Sequence, residues 1–232
     1  DAVYDHVGTA EHKAIAKEAA AHSFTLVKYD NAAPLAGQKI VVAGSLAQNI
    51  RALNSGWTAK EPIEITGTTI LDALTAKAGA DNVTYVETAA DVPADLSGTT
   101  AIVVVGEKSG THDPEWTAAS LEFPQEQTEL VQALKAAGAN VVSVVIMNRA
   151  YVLTPIRDAS DSVLLVYRPG ITCGAEAVAD ALLGETAITG KLPFQIPADM
   201  EQVLNQREDM PKDIENPLYE YGFGIETESF GA

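Results

Sequence analysis

T-T-A-I-V-V-V-G-E-K-S-G-T-H-D-P-E-W, residues 99–116, is the stretch whose reading decides the fold. Residues 101–105 are five consecutive apolar side chains, too short a run for an ordinary helix and rich in β-branched residues, so they read as a strand buried on both faces. Such a strand belongs in the middle of a parallel sheet. Gly106 ends it, and a polar loop with Glu107, His112, Asp113 and Glu115 follows at its carboxyl end, where open α/β sheets place their ligand crevices.

Outward from this strand, the chain alternates strand and helix patterns. Before it, residues 9–28 combine helix formers with apolar Ile15, Ala19, Phe24 and Val27, predicting one long helix that starts near Thr9. K-I-V-V-A-G (39–44) predicts the first strand of the sheet, residues 45–53 a short helix, and N-S-G-W-T a loop. Thr68 or Thr69 can cap a helix closed by Gly79, and residues 82–86 predict the next strand. After the polar loop, Pro124 opens an amphipathic helix with Leu130, Val131 and Leu134 inward and Gly138 at its end. V-V-S-V-V-I (141–146) and S-V-L-L-V-Y (162–167) are further strands joined by a connection at 157–161, and residues 175–183 form a last helix before the punctuation of G-K-L-P-F-Q-I-P. This alternation predicts a flavodoxin-like three-layer α/β/α sandwich around a mostly parallel sheet of five to six strands. We expect a single domain over 1–232. Its core is 9–198, and 199–232 is an acidic extension whose end, P-L-Y-E-Y-G-F-G-I, packs back as a strand or turn.

Charge narrows the function. Fifteen Lys and Arg stand against 32 Asp and Glu, a net charge of -17, which argues against nucleic acid or an anionic membrane surface as partner. No apolar run approaches the roughly 18 residues of a spanning helix. The first residue is Asp1 rather than Met, compatible with removal of an export signal or an upstream domain. The lone Cys173 has no disulfide or metal-ligating partner cysteine and reads as a small buried hydrophobe.

Several chemistries fail on spacing. After the first strand stands G-S-L-A-Q-N, with one glycine where a dinucleotide fingerprint needs three, and no G-x-x-x-x-G-K-[ST] occurs. No cofactor is expected. His6, His12 and His22 sit in or near the first helix without ligand spacing, so no metal is expected, and no G-x-S-x-G offers a nucleophile elbow. What remains is carboxylate chemistry and carbohydrate recognition: Asp113, Glu115 and Trp116 on one loop and Trp57 on another. Aromatic faces suit sugar C–H groups, and carboxylates accept hydroxyl hydrogen bonds or act as general acid and base. The plainer alternatives are a hydrophobic plug for Trp57 and a solvated surface acid for Glu115.

The order of motifs then adds what composition cannot. E-H-K-A-I-A-K-E-A-A-A-H-S-F-T-L-V-K, K-I-V-V-A-G-S-L-A-Q-N, S-G-W-T, G-T-T-I-L-D-A-L, V-V-V-G-E, F-P-Q-E-Q-T-E-L, R-P-G with A-V-A-D-A-L-L-G, G-K-L-P-F and P-L-Y-E-Y-G-F-G-I occur in series. In this the chain resembles the C-terminal α/β sandwich domain of glycoside hydrolase family 3, the β-glucosidase and exo-β-glucanase family, over roughly residues 12–225. The resemblance implies a site shared by two domains, an N-terminal (β/α)8 barrel with the aspartate nucleophile and a sandwich that often supplies the acid/base glutamate from the loop after V-V-V-G-E. The chemistry it implies is retaining hydrolysis of β-linked glucosides or glucans in a secreted or periplasmic enzyme, with two carboxyl groups about 5 to 5.5 Å apart.

A barrel of about 250 residues does not fit ahead of Thr9, so the isolated chain is expected to be inactive. Counting forward from Glu107 places the family's acid/base position at His112. Counting back from Pro124 places it at Asp113, and the nearest glutamate is Glu115. Trp57, Trp116 and Glu61 are the implied sugar contacts, although plant exo-glucanases of the family carry a second tryptophan where Glu61 stands. Asn148, Arg149 and Ala150 replace the family's glycine-arginine-proline, and residues 171–174 replace its glutamate-glycine-glycine. The alternative is a non-catalytic carbohydrate- or partner-binding module that kept the fold. An apolar face for the barrel is expected near Trp57, Met147 and Tyr167.

Overall fold

The computed structural model describes residues 6–30, 35, 37–54, 65–107, 120–207, 209–210 and 212–231. Six strands form one sheet in the order β1-β6-β5-β4-β2-β3: β1 (Thr25–Tyr29), β2 (Ile40–Ala43), β3 (Val83–Val86), β4 (Thr100–Gly106), β5 (Asn140–Ile146) and β6 (Ser162–Leu165). All neighbouring pairs are parallel except β1 with β6, which is antiparallel. The strand read first from the sequence, β4, is buried at every position and lies between β5 and β2. From β2 the chain steps to β3 at one edge and then returns past β2 to β4, β5 and β6, so its direction of winding reverses between β2 and β4.

Alternate side chains build two cores. On one face Ile40, Val42, Ile102, Val104, Val142, Val144 and Leu164 meet three helices: α1 (Ala10–Ser23), α2 (Ile70–Ala78) and α5 (Gly174–Leu182). On the other, Val41, Ala101, Val103, Val105, Val141, Val145 and Leu165 meet α3 (Gln125–Ala136) and α4 (Thr154–Ala159). The result is the three-layer α/β/α sandwich that the strand and helix alternation predicts.

Local sequence accounts for the elements. The Thr69 hydroxyl accepts from the Asp72 amide at 3.1 Å while the Asp72 carboxylate accepts from the Thr69 amide at 3.2 Å, a capping box that opens α2. The first helix ends earlier than its sequence suggests. Thr9 caps it as expected, but the chain leaves the helix at Ser23, and Phe24, Thr25, Leu26 and Val27 take extended backbone and are buried. Leu26 faces one core and Val27 the other. Three apolar residues in a run of four, Phe24, Leu26 and Val27, fit both helical and alternating periods, and pairing with β6 decided for the strand. Residues 45–53 form two 3₁₀ turns rather than one helix, and the connection before β6 contains α4 with Pro155 in its first turn.

Residues beyond 198 begin with a short helix, α6 (Met200–Leu204). Tyr219 bridges Ile196, Ile225 bridges Leu26 and Thr227 bridges Ile188. Phe230 is buried against Tyr29, with ring centroids 5.3 Å apart, and the Gly231 amide donates to the Tyr29 hydroxyl at 2.8 Å. No described helix is long and apolar enough to cross a membrane.

Candidate functional site at the carboxyl edge of the sheet

Strands β4, β5 and β6 run side by side and end on the same edge, and the residues just past each end carry charge: Glu107, Arg149 and Arg168. Gly106 lets β4 finish against β5. Its φ is 134° and a Cβ there would fall inside the Ile146 carbonyl, so the position requires glycine. The Gln127 side chain clamps it, accepting from the Gly106 amide at 2.7 Å and donating to its carbonyl at 3.0 Å. With Gly106 held, Glu107 is fixed at its backbone by donation to the Ile146 carbonyl at 2.8 Å.

The Glu107 side chain is 7% exposed and satisfied on both oxygens. Oε1 accepts from Arg149 Nε at 2.8 Å and also from Arg149 Nη2. Oε2 accepts from the Asn148 amide at 3.0 Å and pairs with Arg168 Nη2 at 3.2 Å. Arg168, whose side chain is 5% exposed, also donates through Nη1 to the carbonyls of Ala52 at 2.7 Å and Asn54 at 3.2 Å. Burial draws the Arg168 guanidinium below its ordinary pKa, against the pull of Glu107. Burial acts the same way on Arg149, where the Glu107 carboxylate outweighs it and the net shift is upward. Both remain cations at neutral pH.

Two further features frame this cluster. Arg149 lies 5.7 Å from the Tyr151 ring centroid, and Tyr151, pushed up in pKa chiefly by burial, packs on Phe123 at 5.2 Å. The Val152 amide donates to the Leu121 carbonyl at 2.9 Å. Residues 148–152 thus grip the chain on both sides of residues 108–119. Tyr167, the residue before Arg168, has φ 53°, a left-handed conformation that costs a bulky side chain energy. Its hydroxyl lies 3.0 Å from Thr25 Oγ1.

On the other side of β4 a cleft of about 420 Å³ opens at the ends of β2, β3 and β4, where the winding reverses. Gly44, Leu46, Ala89, Val104 and Leu130 give it an apolar floor, with Glu87, Glu126 and Glu129 at its rim. This is the place where open α/β sheets bind ligands. Gln127 lines the cleft and clamps Gly106, so cleft and charged cluster share a wall. Among the described residues no group of three or more His, Cys, Asp or Glu is disposed to hold a metal ion.

The residues singled out from the sequence fall elsewhere. His112, Asp113, Glu115 and Trp116 lie outside the described residues, as do Trp57 and Glu61. Of the expected apolar face, Met147 is wholly buried in the domain's own core and Tyr167 is partly buried there, so these two give no exposed patch. Met147 directly follows β5 and its side chain continues the inward alternation of that strand. Sequence reasoning missed the Glu107, Arg149 and Arg168 cluster. Its signal was present in three charged residues, each placed one to three positions after an apolar strand, but only pairing order makes them neighbours.

Comparison with known proteins bears on this edge. Residues 24–227 match the family model described as "Glycosyl hydrolase family 3 C-terminal domain". The chain is 31% identical over 121 residues to Beta-glucosidase C of Emericella nidulans, covering 52% of this chain and 19% of that protein. It is 29% identical over 147 residues to the Periplasmic beta-glucosidase of Salmonella typhimurium, covering 56% of this chain and 19% of that protein. Among solved structures, the exo-1,3/1,4-beta-glucanase of a Pseudoalteromonas species superposes with a TM-score of 0.78 at 28% identity, covering 95% of this chain and 29% of that one. The chain therefore spans well under two thirds of these relatives. With the family model covering most of the sandwich, the chain belongs to glycosyl hydrolase family 3, as a C-terminal domain of that family.

Proposed function

We propose that this domain forms one wall of a sugar crevice in a retaining β-glucosidase or β-glucanase and contributes its acid/base residue from residues 108–119. A (β/α)8 barrel of the same enzyme supplies the nucleophile. The observation that carries this reading is the position of Glu107 at the end of the central strand, gripped by residues 148–149 and 168, so that the candidate donor segment starts from a fixed point on the carboxyl edge. The relatives' names, beta-glucosidase and exo-glucanase, support the substrate class. The periplasmic relative supports an exported enzyme.

Protonation of the leaving group falls to Asp113, with Glu115 next and His112 as a hydrogen-bonding neighbour. Trp57 and Trp116 stack on sugar faces, and Glu61 accepts from a hydroxyl. Alone, the domain lacks a nucleophile and does not turn over aryl β-glucosides.

The test compares two substrate classes in the barrel-joined enzyme. Replacing the true donor by Ala depresses turnover of substrates with poor leaving groups far more than that of activated aryl glycosides, which need little protonation. Equal effects on both classes for Asp113→Ala and Glu115→Ala would remove the acid/base role and leave a binding module. Release of nitrophenol from nitrophenyl β-glucoside by the purified 232-residue chain would overturn the division of labour.

A further inference from the structure

The cleft at the ends of β2, β3 and β4 owes its depth to small residues as much as to large ones. Gly44 follows β2 at φ 92°, and a Cβ there would stand 2.5 Å from the Val104 carbonyl oxygen and 3.6 Å from the Leu130 side chain. The position therefore requires glycine, and the floor stays low. Ala89 and Ala90, past the end of β3, add little bulk, while Leu46, Val104 and Leu130 supply apolar surface. A volume of about 420 Å³ holds a sugar-sized ligand, at the lower end of the roughly 300–1,000 Å³ of small-molecule sites.

The charged groups at the rim share one sign. Glu87 follows β3, and Glu126 and Glu129 stand three residues apart on α3, hence on the same side of that helix. Gln125 donates to Glu129 Oε1 at 2.6 Å, which orients that carboxylate along the helix. Gln127 commits both ends of its amide to Gly106, so the carboxylates are the strong acceptors of this wall. Among the described residues that line the cleft there is no Lys, Arg or His. A phosphate, sulfate or uronate would meet three carboxylates and no cation, which excludes anionic ligands. Apolar surface below and acceptors above match a neutral pyranose, whose C–H face is apolar and whose hydroxyls donate charge-assisted hydrogen bonds to carboxylates.

From this geometry we propose that the cleft is a carbohydrate-binding site for a neutral β-glucosyl unit, seated with its C–H face on Leu46, Val104 and Leu130 and its hydroxyls donating to Glu87, Glu126 and Glu129. The choice of a glucoside among neutral ring ligands rests on the glycosidase reading above, whereas the selection against anions rests on the cleft alone. Its location agrees with the general rule for open α/β sheets, since the winding reverses between β2 and β4. The cleft contributes affinity for glycan and no group to the reaction.

In the nitrogen-15-labelled 232-residue protein, methyl β-glucoside and laminaribiose should shift the amides of Gly44, Leu46, Ala89, Val104 and Leu130 saturably, and methyl β-glucuronide should not. Ala89→Trp fills the cleft and should abolish these shifts. Glu126→Lys replaces an acceptor by a cation and should weaken binding on the order of tenfold, the size of one lost charge-assisted hydrogen bond. Should Ala89→Trp not fold, Glu126→Lys decides alone, because Glu126 is an exposed helix position. Overturning results are no saturable shift at these amides, equal shifts with the glucuronide, or shifts centred instead on the exposed rings of Tyr221 and Phe223. Shifts with an alkylammonium salt and none with the glucosides would make the cleft a cation site and equally refute the proposal. The titration needs no turnover, so it stands apart from the leaving-group test: either the glycosidase reading or the cleft can fail while the other holds.

Discussion

Replacing Asp180 by Asn should destabilise the domain by about 2 to 3 kcal/mol, and the loss should vanish in acid. Asp180 lies on α5, is 8% exposed, and receives Lys17 from α1 together with Lys77 from α2 at 2.8 Å. It thus ties three helices together over one face of the sheet. Two charge-assisted contacts at about 1.5 to 3 kcal/mol each would give an upper bound near 6 kcal/mol. The Lys17 and Lys77 side chains are 37% and 29% exposed, and Lys77 keeps Glu185 at 2.5 Å, so both ammoniums stay solvated or paired after the change. Solvent screening therefore brings the figure down to about half. In a domain of this size that corresponds to roughly 5 to 10 °C in Tm.

The pH dependence follows from the direction of the shifts. Burial works to raise the Asp180 carboxyl, but the two lysines outweigh it and hold it below its ordinary 3.8. A depressed carboxyl contributes stability above its unfolded pKa and loses it as pH falls through the folded value. Hydrogen bonds to Asp180 and Glu185 raise Lys77 above 10.5, and that contribution is complete below 10.5 and lost as pH climbs past it. Urea unfolding followed by circular dichroism should show a wild-type advantage that is flat from about pH 5 to 9 and contracts below about pH 4. An advantage under 1 kcal/mol at pH 7, or one undiminished at pH 3, would refute the assignment of the tie to Asp180.

Three other perturbations test the frame around the site. Gly106→Ala places a Cβ inside the Ile146 carbonyl at φ 134° and should cost about 3 kcal/mol or more, read as urea midpoint or soluble yield, with a loss under 1 kcal/mol contradicting the close approach. Thr69→Ala breaks the capping box of α2 and should cost about 1 kcal/mol, which Thr69→Ser restores. Burial pushes the Tyr219 hydroxyl up to about 12. Its stability contribution is complete below the unfolded value near 10 and lost as pH rises toward 12, so Tyr219→Phe should unfold less readily than wild type between pH 10 and 12 in a Tyr absorbance and circular dichroism titration.

The sheet was legible because its strands announce themselves twice. Residues 101–105 and 141–146 are apolar almost without interruption, as strands covered on both faces must be, and glycine or polar residues follow each of them closely. The antiparallel edge strand was not legible, since Phe24 to Val27 continue an alanine-rich helix with no breaker between. Only the open edge of β6, a non-local fact, turns them into β1. The same limit hid the charged cluster. Glu107, Arg149 and Arg168 are far apart in the chain, and each alone looks like a polar residue ending a strand. What joins them is the order β6-β5-β4, which periodicity does not contain.

Two buried ion networks among the described residues answer to different demands. Asp180 and its lysines join helix to helix across a layer, and their partners reach solvent, so the network is consistent with a role in stability. Glu107 and Arg168 are 7% and 5% exposed at their side chains, in a place where desolvating two charges costs several kcal/mol and an apolar pair of like volume would serve stability as well or better. Stability alone therefore does not account for the second network. What an apolar pair cannot do is direct separate donors at the Ala52 and Asn54 carbonyls while holding the Glu107 carboxylate at the end of β4. The charge at the end of β4 thus gives this network a direction that an apolar pair of the same volume lacks.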